Sequence, residues 1–177
     1  MQNHPERLLI LLASSLLAAC AQSPLKNSGD WPTYGRDYTN QRFSPLKQIN
    51  RDNVAKLAPR WQYKSGINAT FQATPIVVDG VMYLSLPFNH VVALDAKTGQ
   101  PLWRYEHPRR ADYKMCCGPA NRGVAVSQGK VFIGTVDARL IALDARTGKM
   151  LWDIDVAADG SGNAEVAASL QDLKSVV

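Results

Sequence analysis

The chain contains the same eleven-residue phrase twice. ALDAKTGQPLW (Ala93 to Trp103) returns as ALDARTGKMLW (Ala142 to Trp152), 49 positions later, with eight of the eleven positions identical. The register extends upstream without a gap: Gly80 aligns with Gly129, Tyr83 with Phe132 and Val92 with Ile141. A period between about 20 and 50 residues belongs to solenoids, propellers and arrays, in which one supersecondary unit is stacked on the next.

Within each copy the apolar runs are short, rich in β-branched and aromatic residues, and bounded by turn signals. The first copy reads as strands TPIVV, VMYLS, VVALD and PLWRYE, the second as GVAVS, KVFIG, RLIALD and MLWDIDV. Turns this dense exclude a helical solenoid. Four strands and one tryptophan per repeat match a blade of a β-propeller, so the predicted class is all-β, with about two four-stranded antiparallel blades and a leading strand. Gly99 and Gly148 are expected at positive φ in hairpin turns. Asp95 and Asp144 stand where a carboxylate accepts turn amides, and Trp103 and Trp152 stand on outer strands where they pack between blades. These repeated positions have structural roles, not catalytic ones.

Upstream, Asp30 to Gly66 does not follow the repeat. The run NVAKLAPRWQY predicts a strand containing Trp61, and INRDNVAKL (Ile49 to Leu57) predicts one short helix capped by Asn50. After Val156 the repeat is lost. Val166, Leu170, Leu173 and Val177 fall at roughly helical spacing in a divergent tail, 157–177.

The N-terminus carries Arg7 and the apolar run LLILLASSLLAA, too short to span a bilayer comfortably, and ends in LAAC (Leu17 to Cys20). This is similar to a lipoprotein signal (residues 1–19) with Cys20 as the acylated residue, followed by a linker, 20–30. An ordinary cleavable signal with an incidental cysteine is the alternative. Lipidation would place the protein in the periplasm as a membrane-anchored lipoprotein, at the outer membrane rather than the inner. The net charge of +5 is spread along the chain. No block of basic residues with interleaved aromatics exists, which argues against a nucleic-acid partner.

The other two cysteines, Cys116 and Cys117, are adjacent. Neighbouring Cα atoms lie about 3.8 Å apart, whereas an ordinary disulfide spans about 5.5 Å. The pair is therefore either a tight, strained ring or two free thiols, and an oxidising compartment favours the ring.

The motifs CCGPANRGVA (Cys116 to Ala125) and FQATPIVVDGVMY (Phe71 to Tyr83), with the two ALDAxTGxxLW repeats, resemble the pyrroloquinoline quinone (PQQ) dependent alcohol dehydrogenases. The likeness covers Trp31 to Val156 and implies part of an eight-bladed propeller, 31–156, with the quinone on its axis. It implies that Cys116 and Cys117 form a disulfide packed on one face of PQQ and that Arg122 pairs with the anionic cofactor through its fixed fork of donors. Gln72 stands where the family usually has a glutamate; it keeps the hydrogen-bonding shape and loses the charge. The 49-residue offset independently sets Gln72 opposite Asn121 and Ala73 opposite Arg122, at the start of first strands, which line a propeller's axis.

The family's catalytic aspartate and its Ca²⁺ or lanthanide ligands have no counterpart in this chain, so no catalytic or metal residue is assigned. The resemblance implies an N-terminal portion of a dehydrogenase that oxidises alcohols, sugars or aldehydes and passes electrons to cytochrome c or ubiquinone. By itself the portion is expected to be inactive. The alternative is a non-enzymatic lipoprotein propeller serving as a scaffold for outer-membrane protein assembly.

Overall fold

A computed structural model describes residues 25–108 and 118–156. Cys20 and the signal, Cys116 and Cys117, and the tail lie outside the described residues.

Eight strands form two sheets of four, each in sequential antiparallel order. Blade 1 holds β1 (Ile76–Val78), β2 (Val81–Ser85), β3 (Val91–Asp95) and β4 (Pro101–Tyr105). Blade 2 holds β5 (Ala125–Ser127), β6 (Lys130–Gly134), β7 (Arg139–Asp144) and β8 (Met150–Asp155). The eight runs read from the sequence are these eight strands. Both tight hairpins use two residues at positive φ, Asp79 (49°) with Gly80 (79°) and Gln128 (47°) with Gly129 (73°). That geometry matches the right-handed twist of the strands on either side.

The register carries the repeat into three dimensions. Tyr83 pairs with Ala93 and Ala93 with Trp103; Phe132 pairs with Ala142 and Ala142 with Trp152. The Tyr83 and Trp103 rings lie 6.0 Å apart at 46°, and the Phe132 and Trp152 rings 5.9 Å apart at 45°. The main core forms between the blades. Ile76, Tyr83, Val91 and Ala93 of blade 1 meet Val131, Ile133, Ile141 and Leu143 of blade 2. The opposite face of blade 1, with Val92 and Leu94, is covered by Trp61, Tyr63 and Ile67.

Trp103 and Trp61 each seat on the next turn along the stack. Trp103 Nε1 donates to Ala145 O at 2.9 Å, and its ring lies so close to Gly148 that a Cβ there would stand 2.5 Å from it. Trp61 does the same to Ala96 O (3.2 Å) and Gly99. Gly99 and Gly148 have φ of 73° and 71°, as the turn reading required. Asp95 Oδ1 accepts the amides of Lys97 and Thr98, and Asp144 Oδ1 those of Arg146 and Thr147.

Two expectations upstream are corrected. Trp61 does not lie in a strand: Leu57 to Ser65 is irregular, without a ladder partner among the described residues. A strand exists only where a neighbour takes its amides, and here the segment is held by side chains, including Arg104 Nη1 to Ser65 O at 2.8 Å. The Ile49–Leu57 helix shrinks to a single 3-10 turn, Val54–Lys56. Asn50 does not cap a helix. Its Oδ1 accepts the Asp52 amide (2.9 Å) while Asn53 Oδ1 accepts the Asn50 amide (2.8 Å), so the two asparagines build local turns that compete with helix. A further pairing was not foreseen: Trp31 bridges Val77 on the free edge of β1.

Candidate functional site

Antiparallel order sorts the connections into two ends. The β1–β2, β3–β4, β5–β6 and β7–β8 turns lie at one end. The β2–β3, β4–β5 and β6–β7 connections lie at the other, where β1 and β5 also begin. Asp95 and Asp144 belong to the first end. Thr98 and Thr147 respectively, through hydroxyl and amide, hold their carboxyls below the ordinary range. They are turn-binding anions, not bases.

Gln72 and Arg122 belong to the second end. Each lies in the extended lead into a first strand, Gln72 before β1 and Arg122 before β5, and each is exposed. β1 and β5 neighbour one another, so the two residues lie on the leads into adjacent first strands at one end. The backbone around Arg122 is buried: Asn121, Gly123 and Val124 are all covered. Arg122 is thus a cation carried on a fixed stem. A guanidinium and a carboxamide on one rim suit a planar ligand bearing carboxylates and carbonyl oxygens. Among the described residues, no cluster of three His, Cys, Asp or Glu side chains gathers to hold a metal ion.

The same end holds a buried polar group that the sequence reading missed. His107, just beyond β4, places Nε2 3.1 Å from both carboxylate oxygens of Asp137 in the β6–β7 turn. The two side chains are 4% and 6% exposed. Burial pushes the Asp137 carboxyl up, but hydrogen bonds from His107 and Thr135 outweigh it and hold the group at about 2. His107 N donates to His90 Nδ1 at 2.9 Å, so that nitrogen must be unprotonated. Burial, followed by the nearby Arg104 charge, lowers the His90 pKa in agreement. No spacing signal announces this group, because its members come from three separate connections.

Stacked four-stranded antiparallel blades define the class: a β-propeller. The family model for the glucose/ethanol/alcohol dehydrogenase β-propeller domain (PQQ) matches residues 31–160, and the chain belongs to that family. It is 48% identical over 136 residues to the quinohemoprotein alcohol dehydrogenase ADH-IIG of Pseudomonas putida, covering 76% of this chain and 19% of that protein. The crystal structure of ADH-IIG superposes with a TM-score of 0.69 at 46% identity, over 76% of this chain and 20% of the other. The 1-butanol dehydrogenase (cytochrome c) of Thauera butanivorans is 48% identical over 114 residues, 63% of this chain and 16% of that protein. A europium-containing methanol dehydrogenase superposes with a TM-score of 0.70 at 37% identity, over 77% of this chain and 25% of the other. The chain therefore spans about a fifth of the length of the relatives it matches.

Proposed function

We propose that this chain supplies two blades and one side of the cofactor site of a periplasmic PQQ-dependent dehydrogenase acting on alcohols. The observation that carries the reading is Arg122, exposed on a buried stem at the rim shared with Gln72. Arg122 would pair with a carboxylate of the quinone through two parallel N–H donors. Gln72 would donate to or accept from the cofactor's rim without adding charge. Cys116 and Cys117, nearby in the chain, would close as a disulfide over one face of the ring. Bound PQQ supplies two-electron oxidation of an alcohol carbon to a carbonyl, the electrons leaving for an acceptor. Cytochrome c is the acceptor named for the Thauera relative, and ubiquinone is the alternative. No described residue is assigned to the Ca²⁺ or lanthanide ion that the family uses; the europium-containing relative supports the lanthanide option.

Equilibrium dialysis of the exported chain against PQQ tests the reading. Wild type should retain the quinone and Arg122→Ala should weaken binding at least tenfold, the loss of one charge-assisted contact. Intact mass before and after reduction and alkylation should show Cys116 and Cys117 unavailable until reduced. Equal PQQ retention by wild type and Arg122→Ala would sink the cofactor assignment.

A further inference from the structure

The residue before the rim arginine is held more tightly than a loop residue needs to be. Asn121 is 9% exposed and every polar atom of its side chain is engaged. Its Nδ2 donates to Asn89 Oδ1 at 3.1 Å and to Gly134 O at 2.8 Å. Its Oδ1 accepts the Gly123 amide at 3.1 Å. A carboxamide has two N–H donors, and both are used.

Asn89, 2% exposed, belongs to the β2–β3 connection of blade 1 and has a φ of 63°. Asparagine tolerates that left-handed conformation better than most residues. Its Oδ1 also accepts the Val136 amide at 3.3 Å from the β6–β7 turn. One residue earlier, Phe88 N donates to Pro119 O at 2.8 Å. The approach to β5 is therefore tied, just before Arg122, to a loop of blade 1 and to the end of β6 in its own blade, and the Gly123 amide closes back on Asn121 across Arg122. Gly123 continues the constraint with a φ of 144° in a buried position.

We propose that Asn89 and Asn121 are positioning residues that fix the direction in which Arg122 leaves the rim, and thereby set the affinity for the anionic cofactor. This rests on the reading of Arg122 given above. Neither asparagine need touch the ligand. Holding the stem in place before binding removes an ordering cost that a loose loop would incur at the moment of binding. The network also explains the residue type. An aspartate at 121 would set a carboxylate oxygen against two acceptors, Asn89 Oδ1 and Gly134 O, while keeping the side chain's shape.

The test is a double-mutant cycle on the full chain, read by equilibrium dialysis with PQQ. Asn121→Asp should weaken PQQ binding about tenfold in the Arg122 background and cause no further loss in the Arg122→Ala background. Asn89→Gly, which keeps the positive φ and removes the shared acceptor, serves as the second variant and should behave alike. A purely structural role would instead lower the melting temperature and weaken binding equally in both backgrounds, which overturns the proposal. If Arg122→Ala weakens binding and neither asparagine variant does, positioning fails while the cofactor reading stands. If wild type retains no PQQ, the cofactor reading fails and the positioning claim falls with it.

Discussion

Asp137 is a carboxylate that burial by itself would disfavour and that its partners keep ionised. Its folded pKa of about 2 lies below the ordinary value of 3.8. A depressed acid stabilises the fold at pH values above its unfolded pKa, and that contribution is lost as pH falls through the folded pKa. Between about pH 4 and pH 2 the protein should therefore lose stability on the order of 2 kcal/mol from this group. Asp137→Asn keeps the shape and removes the charge. Urea midpoints at pH 7, 4 and 2.5 should show the variant destabilised at neutral pH and falling less steeply than wild type across the acid window, where the depressed Asp95 and Asp144 carboxyls still titrate. A variant as steep as wild type would assign the acid limb to other carboxylates. The sequence did not foretell this pair. His107 and Asp137 are 30 positions apart, in no motif, and only the blade contact closes the distance. The rim placement was more legible: Gln72 and Arg122 stand before first strands, one position apart in the repeat register.

At the scale of elements, the unit is a tryptophan seated on the glycine turn of the following blade. Trp103 lies on Gly148 and Trp61 on Gly99, each with its indole N–H on a turn carbonyl. Gly148 and Gly129 share nearly the same φ, 71° and 73°, but a Cβ at Gly129 would meet nothing within 4 Å. Gly129→Ala thus measures left-handed strain alone, about 1–2 kcal/mol. Gly148→Ala adds a clash with the Trp103 ring and should cost about 1–3 kcal/mol more. Denaturant melts of the two variants should differ by that increment, and equal losses would mean that Trp103 moves aside freely. The eight strands were readable because each carries its own turn signals. The strand expected around Trp61 was not realised, since ladder pairing needs a neighbouring edge that no local pattern reports.

For the whole molecule, family membership rests on the match over 31–160. The repeat-placed carboxylates Asp95 and Asp144 sit at the turn end, opposite the rim, so neither is placed to take a proton from a substrate there. We expect no alcohol oxidation by this chain alone with saturating PQQ and Ca²⁺ or lanthanide, followed with a phenazine-type acceptor. A general base contributes about 10²- to 10⁴-fold, and at the rim end the Asp137 carboxylate is buried against His107 while His90 Nδ1 is occupied by the His107 amide. Turnover abolished by Arg122→Ala would show instead that copies of the chain complete a site together. Localisation at the membrane is proposed through Cys20: Cys20→Ser should move the protein from the membrane fraction to the soluble periplasm. Wild-type protein already soluble would refute acylation.

The sequence by itself determined the blades, their turns, the packing of Trp103 and the family, because each depends on contacts within about fifty residues or on spacing repeated twice. Only the tertiary structure decided how the rim is held. The Asn89–Asn121 link and the His107–Asp137 pair join connections from different blades. A buried hydrogen bond between side chains thirty residues apart is selected by packing geometry, which leaves no period in the sequence to read.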